Sequence, residues 1–283
     1  MNPSFSANPI TDLNELLQYP FMVNALAAAT IVALVGALIG WFVVLRRESF
    51  VCHTLSVMSF PGASGAALAG LPLASGYFAF ALAGALAIAF GSRAGARRSL
   101  SHESAVVGSV GAAALALGFL FLSLYGGVLE SVETLLFGSS VGITVGQVRT
   151  LAVVGLLAAT ALAAIGRPLF YASIDEQAAR ADGVPVRALA IAFLVLLGLA
   201  VAAIAQIVGV LLTFALLVAP AATAQQLTSR IGLSLALAVA LALVEAWAAL
   251  TLSYFTNLSL GFYVTSIALA LYAIARAARE LRR

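Results

Sequence analysis

The chain has 283 residues, 63% of them hydrophobic and only 9% charged, with a mean hydropathy of +1.10. About a quarter of the residues of a soluble domain are normally charged, so this composition excludes a water-soluble globular protein and points to an all-α polytopic membrane protein. The net charge is +3, all fourteen Lys and Arg positions are arginine, and the single cysteine, Cys52, excludes an intrachain disulfide.

A membrane helix needs about 20 mainly apolar residues, so the length holds about nine spans, within a range of eight to ten. Residues 1–20 contain Asp12 and Glu15 and no basic residue, the reverse of a secretory signal, and read as an extracytoplasmic segment. Residues 21–275 read as one transmembrane domain and 276–283 as an Arg-rich cytoplasmic tail.

In chain order, the first span covers residues 21–45 and stops at Arg46 and Arg47. The second covers 53–70, is interrupted by Pro61 and Gly62, and turns at 71–75. The third covers 76–90 and meets a loop with Arg93, Arg97 and Arg98. The fourth covers 104–125, followed by a semi-polar connection, 126–147, carrying Glu130 and Glu133. The fifth covers 150–165 and leads into the polar stretch 167–187. Residues 188–227 are too long for one crossing, which predicts two crossings with a tight turn near 205–208. The last spans cover 231–255 and 260–274.

Cytoplasmic loops collect arginine. With nine spans and the N-terminus outside, thirteen of the fourteen arginines fall inside and only Arg149 outside. Glu130 and Glu133 then face out, where they can attract an arriving cation. Without a lysine the chain cannot carry a P-loop, and its Gly-Ala runs read as close helix packing rather than as phosphate cradles. No enzyme constellation, no bound cofactor and no nucleic-acid partner is expected.

Polar groups at membrane depth carry the functional signal. Glu245, in LALVEAWAAL, falls near the middle of a span, as a pathway carboxylate or as a protonated structural one. Cys52 and His53 open the second span, with Ser56 nearly a turn beyond His53. Imidazole and thiolate suit zinc, whereas manganese accepts more oxygen. Neighbouring residues point in different directions on a helix, so Cys52 and His53 need not share an ion. His102, in RRSLSHESAVVG, reads as a solvated residue near a helix start. Two cytoplasmic segments are candidates for a partner contact: IDEQAARADGVPVR (174–187), a short helix ended by Gly183 and Pro185, and APAATAQQLTSRI (219–231), a turn and short helix at Pro220.

The run VGVLLTFALLVAPAATAQQL, with VVLRRESFVCHTLSVMSFPGASGAALAG, LLFGSSVGIT, IDEQAARADGVPV and SYFTNLSLGFYVTSIALALY in the same chain order, resembles the permease subunits of manganese, zinc and iron ATP-binding cassette importers. The resemblance covers the chain from about Val23 onward. It implies a type II importer-like permease in the bacterial inner membrane, acting as a homodimer with two ATPase subunits that bind ATP, and an extracytoplasmic metal-binding protein. It implies divalent metal import; Cys52 and His53 put zinc first and manganese second, and the residues proposed for a transient pathway are His53, Glu245, Cys52 and Ser56. It also places the ATPase coupling helix in the second cytoplasmic segment, with Pro220, Ala221, Gln225 and Arg230. Relatives show an acidic residue, then Ser-His, then Pro-Gly in the second span. Here the acidic position is His53, Ser56 is kept, and the His position is Val57, which opens the alternative of a chelate such as a siderophore or haem. A proton-coupled secondary transporter is the reading from another class.

Overall fold

The computed structural model describes residues 18–91, 100–125, 135, 136, 138, 142–256 and 258–281. Asp12, Glu15, Arg93, Arg97, Arg98, Glu130, Glu133, Arg282, Arg283 and the side chain of His102 lie outside that description. The described helices are α1 Pro20–Leu45, α2 Ser49–Leu68, α3 Leu73–Gly91, α4 Leu100–Tyr125, α5 Val145–Ile174, α6 Glu176–Ala181, α7 Val186–Val208, α8 Thr213–Leu227, α9 Ile231–Phe255 and α10 Leu260–Glu280. No strand occurs among the described residues.

Local chemistry sets several boundaries. Pro20 sits in the first turn of α1, where its missing N–H costs nothing. Thr144 and Gln147 form a reciprocal capping box at the start of α5. At the end of α1, Arg47 takes a left-handed conformation (φ 58°) and turns the chain into α2. The Arg46 guanidinium donates to Glu48 Oε1 at 3.0 and 2.8 Å and to Ser173 Oγ at 3.3 Å, and lies 5.2 Å from the Phe193 ring centre. One side chain thus ties the α1–α2 turn to α5 and α7.

Helix α9 is clamped to α1 at two levels: Trp41 Nε1 donates to Ser234 Oγ at 2.9 Å, and Trp247 Nε1 to Thr30 Oγ1 at 3.0 Å. Between them Ala238, Ala242 and Glu245 form a buried seam that continues past Trp247 to Ala249. Helix α8 meets α1 still more closely, since a Cβ added at Gly40 would overlap the carbonyl oxygen of Leu217. Small residues let membrane helices approach to backbone contact and gain dispersion energy without a hydrophobic drive.

Among the described residues, seven helices are long and apolar enough to cross a membrane: α1, α3, α4, α5, α7, α9 and α10. The other two long helices differ. Helix α2 is diluted by Ser49, His53, Thr54, Ser56, Ser59 and Ser64, and α8 has only 15 residues, about 22 Å of rise. The expected pair of full crossings over 188–227 is therefore a full helix, α7, followed by a half-length one. The break falls slightly later than 205–208, at Gly209, whose φ of +89° suits glycine. Ile207, Val208 and Leu216 line the same small cavity as Ala29 and Val32, which lie about 14–18 Å into α1. The break is thus well inside the membrane layer. Val210 N and Leu211 N donate there to the carbonyls of Leu135 and Leu136, at 3.2 and 3.1 Å, so irregular backbone at this depth is covered by protein.

Candidate transport site

The two remaining long helices, polar α2 and half-length α8, meet each other. His53, exposed on the first turns of α2, packs edge-on against Phe214 in the first turn of α8, with ring centres 5.8 Å apart. Lipid-facing positions tolerate polar side chains poorly, so a polar helix and an interrupted one are stable together only on a protein or water-filled face. Discontinuous helices at membrane depth are the devices that line transport sites, because their breaks expose backbone groups to cargo.

Around this point the structure separates the sequence-predicted residues. Cys52 is fully buried while His53 is exposed, so the thiol and the imidazole point to different faces of α2. Ser56 follows Cys52 into the interior and donates its hydroxyl to the Cys52 carbonyl at 3.0 Å. Val57 is buried as well. On α2, His53 is the one exposed side chain of a metal-binding type.

Glu245 has no exposed surface, and neither carboxyl oxygen has a hydrogen-bond partner among the described residues. It belongs to the seam of α9 inside the bundle. Among the described residues no three His, Cys, Asp or Glu side chains gather closely enough to hold a metal ion. The four expected pathway residues therefore do not form one site: His53 stands on the α2–α8 face, Cys52 and Ser56 behind it, and Glu245 within the packing of α9.

The partner-facing segments also differ from expectation. Pro220 does not end its helix; α8 continues through it to Leu227, and only residues 228–230 form the turn into α9. Pro220 and Ala221 are consequently buried and present no surface to another subunit. Gln225 is half-buried and donates to the Trp41 carbonyl at 2.9 Å, which leaves Arg230 as the exposed member of the four. The isolated short helix at the arginine-rich end is α6. Asp175 caps it by accepting from Ala178 N at 2.9 Å, Tyr171 Oη donates to Asp182 at 2.6 Å, and Arg180 pairs with Glu176 on its exposed side.

Phe214 and the Leu135–Leu136 cover of the helix break were not among the sequence candidates. The available signal was Gly209 together with an apolar stretch after it that is too short to cross a membrane.

A bundle of long apolar helices with one interrupted pair and a polar helix beside it defines a polytopic membrane transport subunit. Residues 18–279 match the family described as the ABC 3 transport family, and the chain belongs to it. It is 29% identical, over 93% of this chain and 88% of the relative, to the manganese transport system membrane protein MntC of Halalkalibacterium halodurans. It is 32% identical, over 89% of this chain and 85% of the relative, to the chelated iron transport system membrane protein YfeC of Yersinia pestis. Its fold matches PsaBC from Streptococcus pneumoniae, solved in complex with a Fab, with a TM-score of 0.83, 24% identity and 94% coverage of each chain. The chain is thus a transport subunit and not an enzyme.

Proposed function

We propose that this chain is the membrane permease subunit of an ATP-driven importer of divalent transition metal ions in a bacterial cytoplasmic membrane. Two copies form the pathway, two separate ATPase subunits drive it, and an extracytoplasmic binding protein delivers the ion. The observation that carries this reading is the meeting of the polar helix α2 with the half-helix α8 at His53 and Phe214, in a chain of the ABC 3 transport family. The arginine-rich end, which includes Arg46, Arg47, Arg180, Arg187, Arg230, Arg276 and Arg279, is the cytoplasmic one.

Manganese is the first candidate and zinc the second. Burial of Cys52 removes the thiolate that favoured zinc, leaving an imidazole and oxygen donors, and the manganese relative aligns with nearly the whole chain. A second reading, transport of a metal already held by a chelator, is favoured by Val57: with one exposed ligand on α2, cargo that brings its own ligands needs fewer from the wall. Coupling to the ATPase is assigned to α6. Helix α5 is 30 residues long, about 45 Å, and outlasts a hydrocarbon core of about 30 Å, so it carries α6 clear of the membrane.

The test is uptake into proteoliposomes holding the chain with its ATPase and binding protein. Manganese uptake that requires ATP is the expected result. ATP-dependent uptake of a chelate but not of free manganese or zinc selects the second reading. Uptake by the isolated chain under a proton gradient overturns the ATP-driven assignment.

A further inference from the structure

The bundle has a lateral groove that the transport reading leaves unused. Between α1, α5 and the start of α9 lies an apolar cavity of about 400 Å³, within the range of small-ligand sites, walled by Leu38, Trp41, Leu162, Ala163, Phe170 and Leu235. At its cytoplasmic end Trp41 stacks on Phe170 with ring centres 6.1 Å apart, and the Trp41 N–H is already given to Ser234. A second recess of about 360 Å³ shares Trp41, Phe170 and Ile231 with the first and ends in the hydroxyl-bearing turn at Thr228 and Ser229. The groove therefore runs from apolar walls to a polar end along the membrane normal.

Arg167 lines this groove and is exposed, with no hydrogen bond or ion pair among the described residues. Its depth follows from α5. Arg149 and Arg167 are the two charged residues of that helix, and they stand about 27 Å apart along its axis, close to the roughly 30 Å of a bilayer's hydrocarbon core. Arg149 is near the opposite end, so Arg167 falls at the headgroup level of the arginine-rich side. A guanidinium there meets lipid phosphate in bidentate geometry, while the groove beside it accepts a chain of methylenes.

We infer that the α1–α5–α9 groove is a binding site for one anionic phospholipid per protomer, with the headgroup phosphate on Arg167 and an acyl chain running toward the bilayer centre along Leu38, Leu162 and Ala163. Charge selects the lipid class and the apolar walls select a lipid over free phosphate. The inference does not depend on which metal is carried.

The test is native mass spectrometry of the full chain purified with its ATPase, after detergent washing and back-titration with phosphatidylglycerol, phosphatidylcholine or inorganic phosphate. Wild type is expected to retain one phosphatidylglycerol per protomer, at least tenfold more tightly than phosphatidylcholine, and to ignore inorganic phosphate. Arg167→Gln should remove that preference, Arg167→Lys should restore part of it, and Arg187→Gln, an exposed arginine away from the groove, should leave it intact. Ala163→Phe fills the groove without touching the charge and should lower the retained lipid of both classes. Equal phosphatidylglycerol retention by wild type, Arg167→Gln and Ala163→Phe overturns the inference, as does loss of the dimer by Ala163→Phe with lipid content unchanged, which would give the groove to a second copy.

Discussion

Helices α1 and α5 are both apolar enough to cross a membrane, yet the apolar stretch of α1 is 67% buried within the chain and that of α5 only 22%. Hydropathy cannot separate them because lipid tails are as apolar as a protein interior. What separates them is shape. Helix α1 presents Gly36 and Gly40 to α8, its Trp41 donates to Ser234 and its Thr30 accepts from Trp247 of α9, whereas α5 offers Val153, Leu156 and Leu157 outward. Core helices in this fold are recognised by small residues and polar pins, lipid-facing ones by bulky aliphatic side chains.

Gly40→Leu should disturb the core most. Its side chain would have to occupy the space of the Leu217 carbonyl, and overpacking against backbone costs about 3 kcal/mol or more because a carbonyl cannot change rotamer. Loss of a monodisperse peak in size-exclusion chromatography is expected, while Leu156→Ala on α5 should elute like wild type. A monodisperse Gly40→Leu would mean that α8 can slide, and the half-helix would then be a moving part rather than a fixed wall.

Glu245 tests the same core chemically. A buried polar group without a partner costs about 1–3 kcal/mol, so Glu245→Leu should raise the thermal midpoint in detergent by a few degrees. A lower midpoint would show that the carboxyl is bonded to something outside the described chain. Transport separates the roles further: if uptake survives Glu245→Leu, the residue is a tolerated burden of the core, and if uptake fails in a more stable protein, the carboxyl serves the transport cycle.

Much of this architecture was legible in the sequence, and for identifiable reasons. The helix order and the arginine-marked turns follow from runs of apolar residues bounded by Arg46, Arg187 and Arg230, which report solvent directly. The half-length of α8 was carried only by Gly209 and the shortness of the run after it, and an apolar run reads the same whether it starts at the membrane surface or midway through it. Pro220 misled for a related reason: a missing N–H ends a helix in water, but inside a bundle neighbouring helices hold it in place. Among the candidate site residues, adjacency on a helix already separates Cys52 from His53, and the structure buries the first and exposes the second. Only the partner surface, Phe214, decided which of them faces the break.

His53 is the next smaller test. His53→Ala should lower ATP-dependent manganese uptake about tenfold, equivalent to about 1.4 kcal/mol, with the ATPase still assembled. Cys52→Ala, buried behind it, should change uptake less than twofold. Equal losses from both would place the pathway on the interior face of α2 and undo the assignment of the α2–α8 surface.

The smallest effect on stability belongs to α6, at the far end of the lipid-facing helix. The Glu176–Arg180 pair is more than half exposed on both sides, and such i,i+4 pairs contribute about 0.3–0.5 kcal/mol before screening by salt. Arg180→Ala should therefore leave the melting curve of the isolated chain unmoved. If α6 is the docking element, the same substitution removes a cation from the surface presented to the ATPase, and ATPase retention during purification should fall while metal-independent folding does not. Weakened retention with an unchanged midpoint assigns coupling to α6. Retention unchanged by Arg180→Ala but reduced by Arg230→Ala would return it to the turn between α8 and α9, the one exposed part of the segment that the sequence had favoured.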